Sequence, residues 1–191
     1  KKKFKILLLT ANKNHTLLSK QIKEFKVKNV IVSDRKSYLI LKKKFQSINI
    51  LNDLEKIDKI IPTKFDYTMS SISGFDGLKP TIQIIKKTKT IAIANKESII
   101  CGWNLIKSIA YKNNTKIIPI DSEHFSIMKL LEKQNINNVK KIYLTASGGP
   151  FLKYKLSSLK NIKPVEAIKH PKWKMGKKIS IDSASLMNKM L

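Results

Sequence analysis

Short apolar runs rich in Ile, Val and Leu alternate with segments whose apolar residues recur at helical spacing. That alternation predicts an α/β chain built on a mostly parallel sheet. Polar clusters directly follow three of the runs, at Asn95, Asp121 and Ser147, where such sheets place their ligands. With 42% hydrophobic and 27% charged residues over 191 positions, the chain can bury a core, so wholesale disorder is excluded.

The elements follow in order. Phe4 to Thr10 reads as a buried strand, and Leu18, Ile22 and Phe25 then share one helical face. Asn29 to Ser33 is a second strand, followed by a helical stripe of Tyr38, Leu41 and Phe45. Ile48 to Leu51 is a short strand. Asn52, with Glu55 three residues on, has the form of a capping box before a helix carrying Leu54, Ile57 and Ile61. Phe65 to Ile72 reads as a strand ending in the loop from Ser73 to Gly77, and Pro80 suits the first turn of the next helix, with Leu78, Ile82 and Ile85 on its face. Strand Thr90 to Ala94, a helix ending near Lys112, strand Lys116 to Ile120 and a helix around Phe125 to Gln134 continue the pattern. Lys141 to Ala146 is read as a strand leading into Ser147-Gly148-Gly149-Pro150. Lys169 to Gly176 is a loop, Ile179 to Asp182 a strand, and Ser183 the start of a helix. Without a repeat or a Pro- or Ser-rich linker, the change of texture near Ile120 is the best place for a domain boundary.

Thirty-nine Lys+Arg against 13 Asp+Glu give a net charge of +26, which invites a nucleic-acid reading. Arg35 is the only arginine, however, and a groove that grips phosphate or reads guanine would be expected to use arginine's planar fork. The lysines are spread along the chain among apolar positions, so they read as solvated faces. The alternative, a lysine-rich α/β nucleic-acid-binding domain, requires exposed aromatics on a basic face, and the aromatics are 7% and fall mostly at core positions. One cysteine, Cys101, excludes a disulfide within the chain and fits a reducing compartment. No apolar run approaches the ~18 residues needed to cross a membrane, and Ile6 to Leu9 is too short for a signal peptide.

Four constellations could carry chemistry. In an extended segment Asp121 and Glu123 share a face, which reads either as two hard oxygen ligands for a divalent cation or as a helix cap beside a surface charge. Ser147-Gly148-Gly149-Pro150 reads as an anion-binding concavity or a tight turn. Ser183, ahead of Asn188 and Lys189, reads as a phosphate site at a helix start or as a plain cap. Trp173 and Met175, flanked by Lys172, Lys174, Lys177 and Lys178, read as a lid over an anionic substrate or as an apolar anchor for a surface loop. His124 reads as a structural residue, and Asn95-Lys96-Glu97-Ser98 at a strand end is open to a ligand.

Taken in order, five motifs resemble the 1-deoxy-D-xylulose 5-phosphate reductoisomerase family: Ala94-Asn95-Lys96-Glu97-Ser98, Pro119 to His124, Ser147 to Phe151, His170 to Ala184, and Met187-Asn188-Lys189. The resemblance implies a fold and an activity. The fold would be an incomplete Rossmann-like NADPH-binding domain over 1–119, followed by the start of an α/β catalytic domain over 120–191. The activity would be NADPH-dependent and divalent-metal-dependent isomerisation and reduction of 1-deoxy-D-xylulose 5-phosphate to 2-C-methyl-D-erythritol 4-phosphate. It assigns Asp121 and Glu123 to a Mg²⁺, Mn²⁺ or Co²⁺ ion and, with Lys189, to catalysis. Ser122, Ser147, His170, Trp173, Met175, Ser183, Asn188 and Lys189 go to the phosphorylated sugar, and Asn12, Lys13, Asn14, Asn95, Lys96 and Glu97 to NADPH. It implies a homodimer when complete, in bacterial cytoplasm or a plastid, with no nucleic acid and no membrane. The family's glycine-rich first βα unit is expected before Phe4, yet no glycine precedes Gly74, and its third metal carboxylate is expected just after Lys189, with Met190 standing where the family usually has glycine. The 191 residues are therefore expected to be an internal fragment that does not turn over substrate alone.

Overall fold

A computed structural model describes residues 4–146, 148–171, 176–185 and 187–190, with only the backbone described at Ser183, Asn188 and Met190. Strand β1 (Leu9–Ala11), helix α1 (His15–Phe25), β2 (Asn29–Val32), α2 (Arg35–Lys44) and β3 (Asn49–Leu51) build a parallel sheet in the order β1-β2-β3. Register places Leu9 opposite Val30 and Asn29 opposite Asn49, and the Asn49 amide donates to Asn29 Oδ1 at 2.8 Å. The apolar stripe of α1 presents Leu18 and Ile22 to this sheet, α2 presents Leu41, and together with Val30, Val32 and Ile50 they form one buried cluster.

A second parallel sheet, β4-β5-β6, comprises β4 (Thr68–Ser70), β5 (Thr90–Ile93) and β6 (Lys116–Pro119), with α3 (Leu78–Ile85) and α4 (Lys96–Lys112) as the connecting helices. Its core is made mainly of isoleucine: Ile57, Ile61, Ile84, Ile85, Ile91, Ile93 and Ile106, closed by Phe65 and Ala110. Leu8, just ahead of β1, packs on this second cluster. Where α3 crosses α4, a β-carbon on Gly102 would lie 2.5 Å from Leu78 Cδ1, so the Leu78 side chain would have to turn aside to admit it. The same glycine leaves helical geometry, and α4 kinks at it.

Several expectations are corrected. The first strand is confined to Leu9–Ala11; Phe4, which the reading placed inside it, is 74% exposed. The helix expected around Ile57 is a 3-10 helix over Leu54–Lys59. Asp53 rather than Asn52 caps it, accepting from Glu55 N at 2.9 Å. The strand expected over Phe65 to Ile72 shrinks to β4, with Phe65 joined to Thr88 only by an isolated parallel bridge. Helix α5 (Ser122–Leu131) begins ahead of the expected Phe125 because Asp121 caps it.

After α5 two strand expectations fail. Lys141 to Ala146 has the right residues but no regular structure, and no strand pairs with it among the described residues. Ile179 to Asp182 alternates apolar and polar residues as a strand would, yet it lies inside α7 (Lys177–Ala184), which follows α6 (Pro164–Ala167). The reason is local. With no ladder partner, the i,i+4 pair of Lys178 with Asp182 at 2.7 Å and the capping carbonyl of Gly176 favour the helix. Ser183 therefore sits in the last turn of α7 instead of starting a helix, and α8 (Met187–Met190) follows. Among the described residues the buried apolar core ends at Ala110, and the buried side chains beyond it are the polar Thr115, Ser180 and Lys189.

Candidate functional site

At four passages from a strand to an α-helix an Asn or Asp side chain caps the incoming helix. Asn14 accepts from Leu17 N at 3.0 Å, Asp34 from Ser37 N at 2.9 Å, Asn95 from Ser98 N at 2.6 Å, and Asp121 from His124 N at 3.4 Å. These caps put the polar residues beyond the carboxyl ends of the strands, the edge at which open α/β sheets bind ligands. Asn12, Lys13 and Asn14 follow β1, with Asn12 Oδ1 accepting from Ser33 Oγ at 3.2 Å and the Lys13 carbonyl from Ser37 Oγ at 3.0 Å. Asn95, Lys96 and Glu97 follow β5 at the start of α4. The Asn95 amide is turned into the protein, where it donates to the Ile72 carbonyl and, at 2.8 Å, to the Gly74 carbonyl, and so holds the loop after β4.

The densest arrangement lies at the end of β6. Asp121 Oδ2 and Glu123 Oε2 each lie 2.8 Å from the Nζ of Lys189, whose side chain is only 7% exposed. On its other oxygen Asp121 meets His124 Nδ1 at 2.9 Å, and Glu123 Oε2 accepts from Ser122 Oγ at 2.6 Å. Lys96 Nζ stands 3.8 Å from Asp121 Oδ2, which ties the start of α4 to the start of α5. Next to it, Lys178 on α7 reaches Glu97 at 3.7 Å. An open cleft of about 310 Å³ beside these groups is lined by Pro119, Ile120, Asp121, Ser122 and Phe125.

The ionisation of the cluster follows from its geometry. Burial opposes charging Asp121, but the hydrogen bonds from Lys189 and His124 outweigh it and hold the carboxyl well below the ordinary carboxylate range. Glu123 is lowered in the same way: burial works against the charge, and Lys189 and Ser122 prevail. Burial pulls Lys189 down while the two carboxylates push it further up, so it stays above the usual lysine value. Two carboxylates and one ammonium are thus all charged over the ordinary pH range.

This arrangement is chemically specific. Two hard oxygens aimed at one point hold a cation already, in the form of the Lys189 ammonium, and the same donor set suits a divalent ion such as Mg²⁺ or Mn²⁺. Among the described residues no third His, Cys, Asp or Glu completes the set. The direct ion pairing of Lys189 with Asp121, 68 positions earlier, and with Glu123 had no signal in the residue spacing, nor did the bridge from Lys178 to Glu97. His124, read as structural, lies with Nδ1 2.9 Å from Asp121 Oδ1.

The remaining candidates are placed unevenly. His170 is partly buried in the segment after α6. Ser122 is exposed beside Glu123, Ser183 lies on α7 and Asn188 on α8. Ser147, Trp173 and Met175 lie outside the described residues.

Comparison with known proteins is consistent across the chain. Residues 1–102 match the family described as 1-deoxy-D-xylulose 5-phosphate reductoisomerase, and residues 117–191 match the C-terminal domain described for 1-deoxy-D-xylulose 5-phosphate reductoisomerase. A relative of that name from Pelagibacter ubique is 58% identical over 99% of this chain and 50% of its own length, and one from Thermodesulfovibrio yellowstonii is 46% identical over 98% and 49%. The chain spans about half the length of the curated relatives it matches. Among solved structures, the Zymomonas mobilis reductoisomerase in complex with NADPH superposes with a TM-score of 0.82 at 34% identity, over 97% of this chain and 48% of that one. A DOX-P reductoisomerase in complex with NADPH, fosmidomycin and magnesium gives 0.80 at 33% identity, over 98% and 49%.

Proposed function

From the premise that this chain belongs to the 1-deoxy-D-xylulose 5-phosphate reductoisomerase family, we propose that the protein of which these residues form a part isomerises and reduces 1-deoxy-D-xylulose 5-phosphate to 2-C-methyl-D-erythritol 4-phosphate, using NADPH and a divalent cation. The observation that carries the reading is the convergence of Asp121 and Glu123 on a single cation at the carboxyl end of β6. When bound, the divalent ion supplies Lewis acidity at the sugar's oxygens and NADPH supplies the hydride.

The chain's own residues then have distinct tasks. Asp121 and Glu123 hold the cation, and His124 fixes the Asp121 carboxylate in the orientation that faces it. Asn12, Lys13 and Asn14 at the end of β1 receive the adenosine side of NADPH, while Lys96 and Glu97 at the end of β5 receive it near the metal centre. Asn95 serves that contact by holding the loop after β4 in place. Lys189, Asn188, Ser183, Ser147, Ser122 and His170 bind the phosphorylated sugar, whose phosphate supplies binding energy remote from the reacting carbons. Trp173 and Met175 close over it and exclude water.

The division at 119/120 into a nucleotide-binding part and a catalytic part is supported by a buried apolar core that, among the described residues, ends at Ala110. No helix among the described residues is long and apolar enough to cross a membrane. The complete protein is proposed to act as a homodimer in the bacterial cytoplasm, with no nucleic-acid partner.

The test uses the complete protein. NADPH oxidation should require both the sugar phosphate and Mn²⁺ or Mg²⁺, and Asp121→Asn should abolish turnover and metal binding while leaving NADPH binding, followed by nucleotide fluorescence, within about threefold. Retained metal-dependent turnover in Asp121→Asn would overturn the assignment.

A further inference from the structure

The position that a divalent ion would take between Asp121 and Glu123 is held by a side chain of the protein itself. Lys189 Nζ is 2.8 Å from an oxygen of each carboxylate. Its side chain is 7% exposed, against 30% for Lys96, which stands 3.8 Å from the same Asp121 oxygen. Two carboxylates this close repel one another unless a cation sits between them. The ammonium, with three rotatable donors on a flexible stem, serves here as that cation.

An ammonium and a divalent ion cannot share the place. A hard divalent cation binds carboxylate oxygens at about 2.0–2.6 Å, well inside the space the Lys189 ammonium fills. Both are positive, and the other oxygen of Asp121 is already engaged by His124 Nδ1. We infer that Lys189 is the resident counter-cation of this site: it holds Asp121 and Glu123 converged before a divalent ion arrives and withdraws as that ion binds. The site is pre-shaped without metal, and metal affinity is set by an exchange of cations rather than by capture alone. The withdrawn ammonium becomes available to an anionic oxygen of the substrate, so the order metal first, sugar phosphate second is built into the side chain that serves both.

This inference rests on the reading of Asp121 and Glu123 as metal ligands, and the experiment separates the two. Mn²⁺ affinity of the complete protein is measured by electron paramagnetic resonance, without NADPH or substrate, for the wild type, Asp121→Asn, Lys189→Met and Lys96→Met. In parallel, acetic anhydride labelling of Lys189 in the wild type is followed by mass spectrometry with and without Mn²⁺. The expected results are a loss of binding in Asp121→Asn and a gain of about tenfold, some 1.4 kcal/mol, in Lys189→Met. The gain in Lys96→Met should be at most about twofold, and Lys189 labelling should rise on adding Mn²⁺.

If Asp121→Asn binds as the wild type does, the ligand assignment itself fails. With that assignment intact, the exchange is overturned by unchanged or weaker binding in Lys189→Met, or by equal gains in Lys189→Met and Lys96→Met, which would mark a general field effect. Lys189 labelling indifferent to Mn²⁺ overturns it too, and this arm does not depend on how any variant folds.

Discussion

The side-chain amide of Asn95 fills the space that a β-carbon on Gly77 would need, and the carbonyl of Ile72 closes the same space at 2.5 Å. The loop after β4 is thereby pinned to the start of α4, because Asn95 bonds the loop with its amide nitrogen and caps the helix with its oxygen. Gly77→Ala should cost about 1–3 kcal/mol through overpacking, measured by urea denaturation of the complete protein. In the double variant with Asn95→Ala the two losses should fall short of their sum by more than about 0.5 kcal/mol. Strict additivity would show that Asn95 is not what the new methyl group meets.

Helix α2 separates structural from surface leucines within three residues. Leu41 is fully buried against Val30 and Val32, whereas Leu39 is 50% exposed. Leu41→Ala should destabilise by about 2–5 kcal/mol through cavity formation, and Leu39→Ala by no more than about 0.5 kcal/mol. Comparable losses at the two sites, read from denaturation midpoints, would contradict the packing of α2.

Thr115 joins the strand β6 to the end of α3. Its hydroxyl lies 2.9 Å from the carbonyls of both Ile85 and Thr88, in a buried position. Thr115→Val keeps the shape and removes the donor, so it should cost about 1–3 kcal/mol. Thr115→Ser, which keeps the donor, should recover most of that loss in the same thermal-unfolding experiment.

The cap of α2 carries a pH signature. The backbone N–H of Ser37, reinforced by Lys13 and Lys36, holds the Asp34 carboxyl below its ordinary value. A carboxyl lowered on folding contributes stability above its unfolded pKa of about 3.9, and loses it as pH falls through the lowered folded value. Asp34→Asn keeps an oxygen acceptor for the Ser37 N–H but does not titrate. Its melting temperature should therefore fall less steeply than that of the wild type between roughly pH 5 and 2, and parallel curves would exclude a role for this carboxylate.

Much of the site was legible because it is built locally. Asp121 ends the passage from β6 and Glu123 lies in the first turn of α5, so the cap reading holds for Asp121, which caps the helix with one oxygen and meets Lys189 with the other. Asn95 was legible as a strand-end residue, but its inward turn toward Gly74 was not, since no local pattern reveals which carbonyl an amide will find. The region from Lys141 to Asp182 was the least legible, because alternation there imitates strands that find no partner in the described fold.

By itself the amino-acid sequence determined the succession of strands and helices through Leu131 and the family resemblance, which depend on neighbours within a few positions or on motifs in register. Only the tertiary structure decided that Ile179 to Asp182 is helical, that the six strands divide into two three-stranded sheets, and that Lys189 closes on Asp121, 68 residues away, and on Glu123. Strand pairing and ion pairing depend on which partners the folded chain brings within a few ångströms, and spacing along the chain carries no record of that.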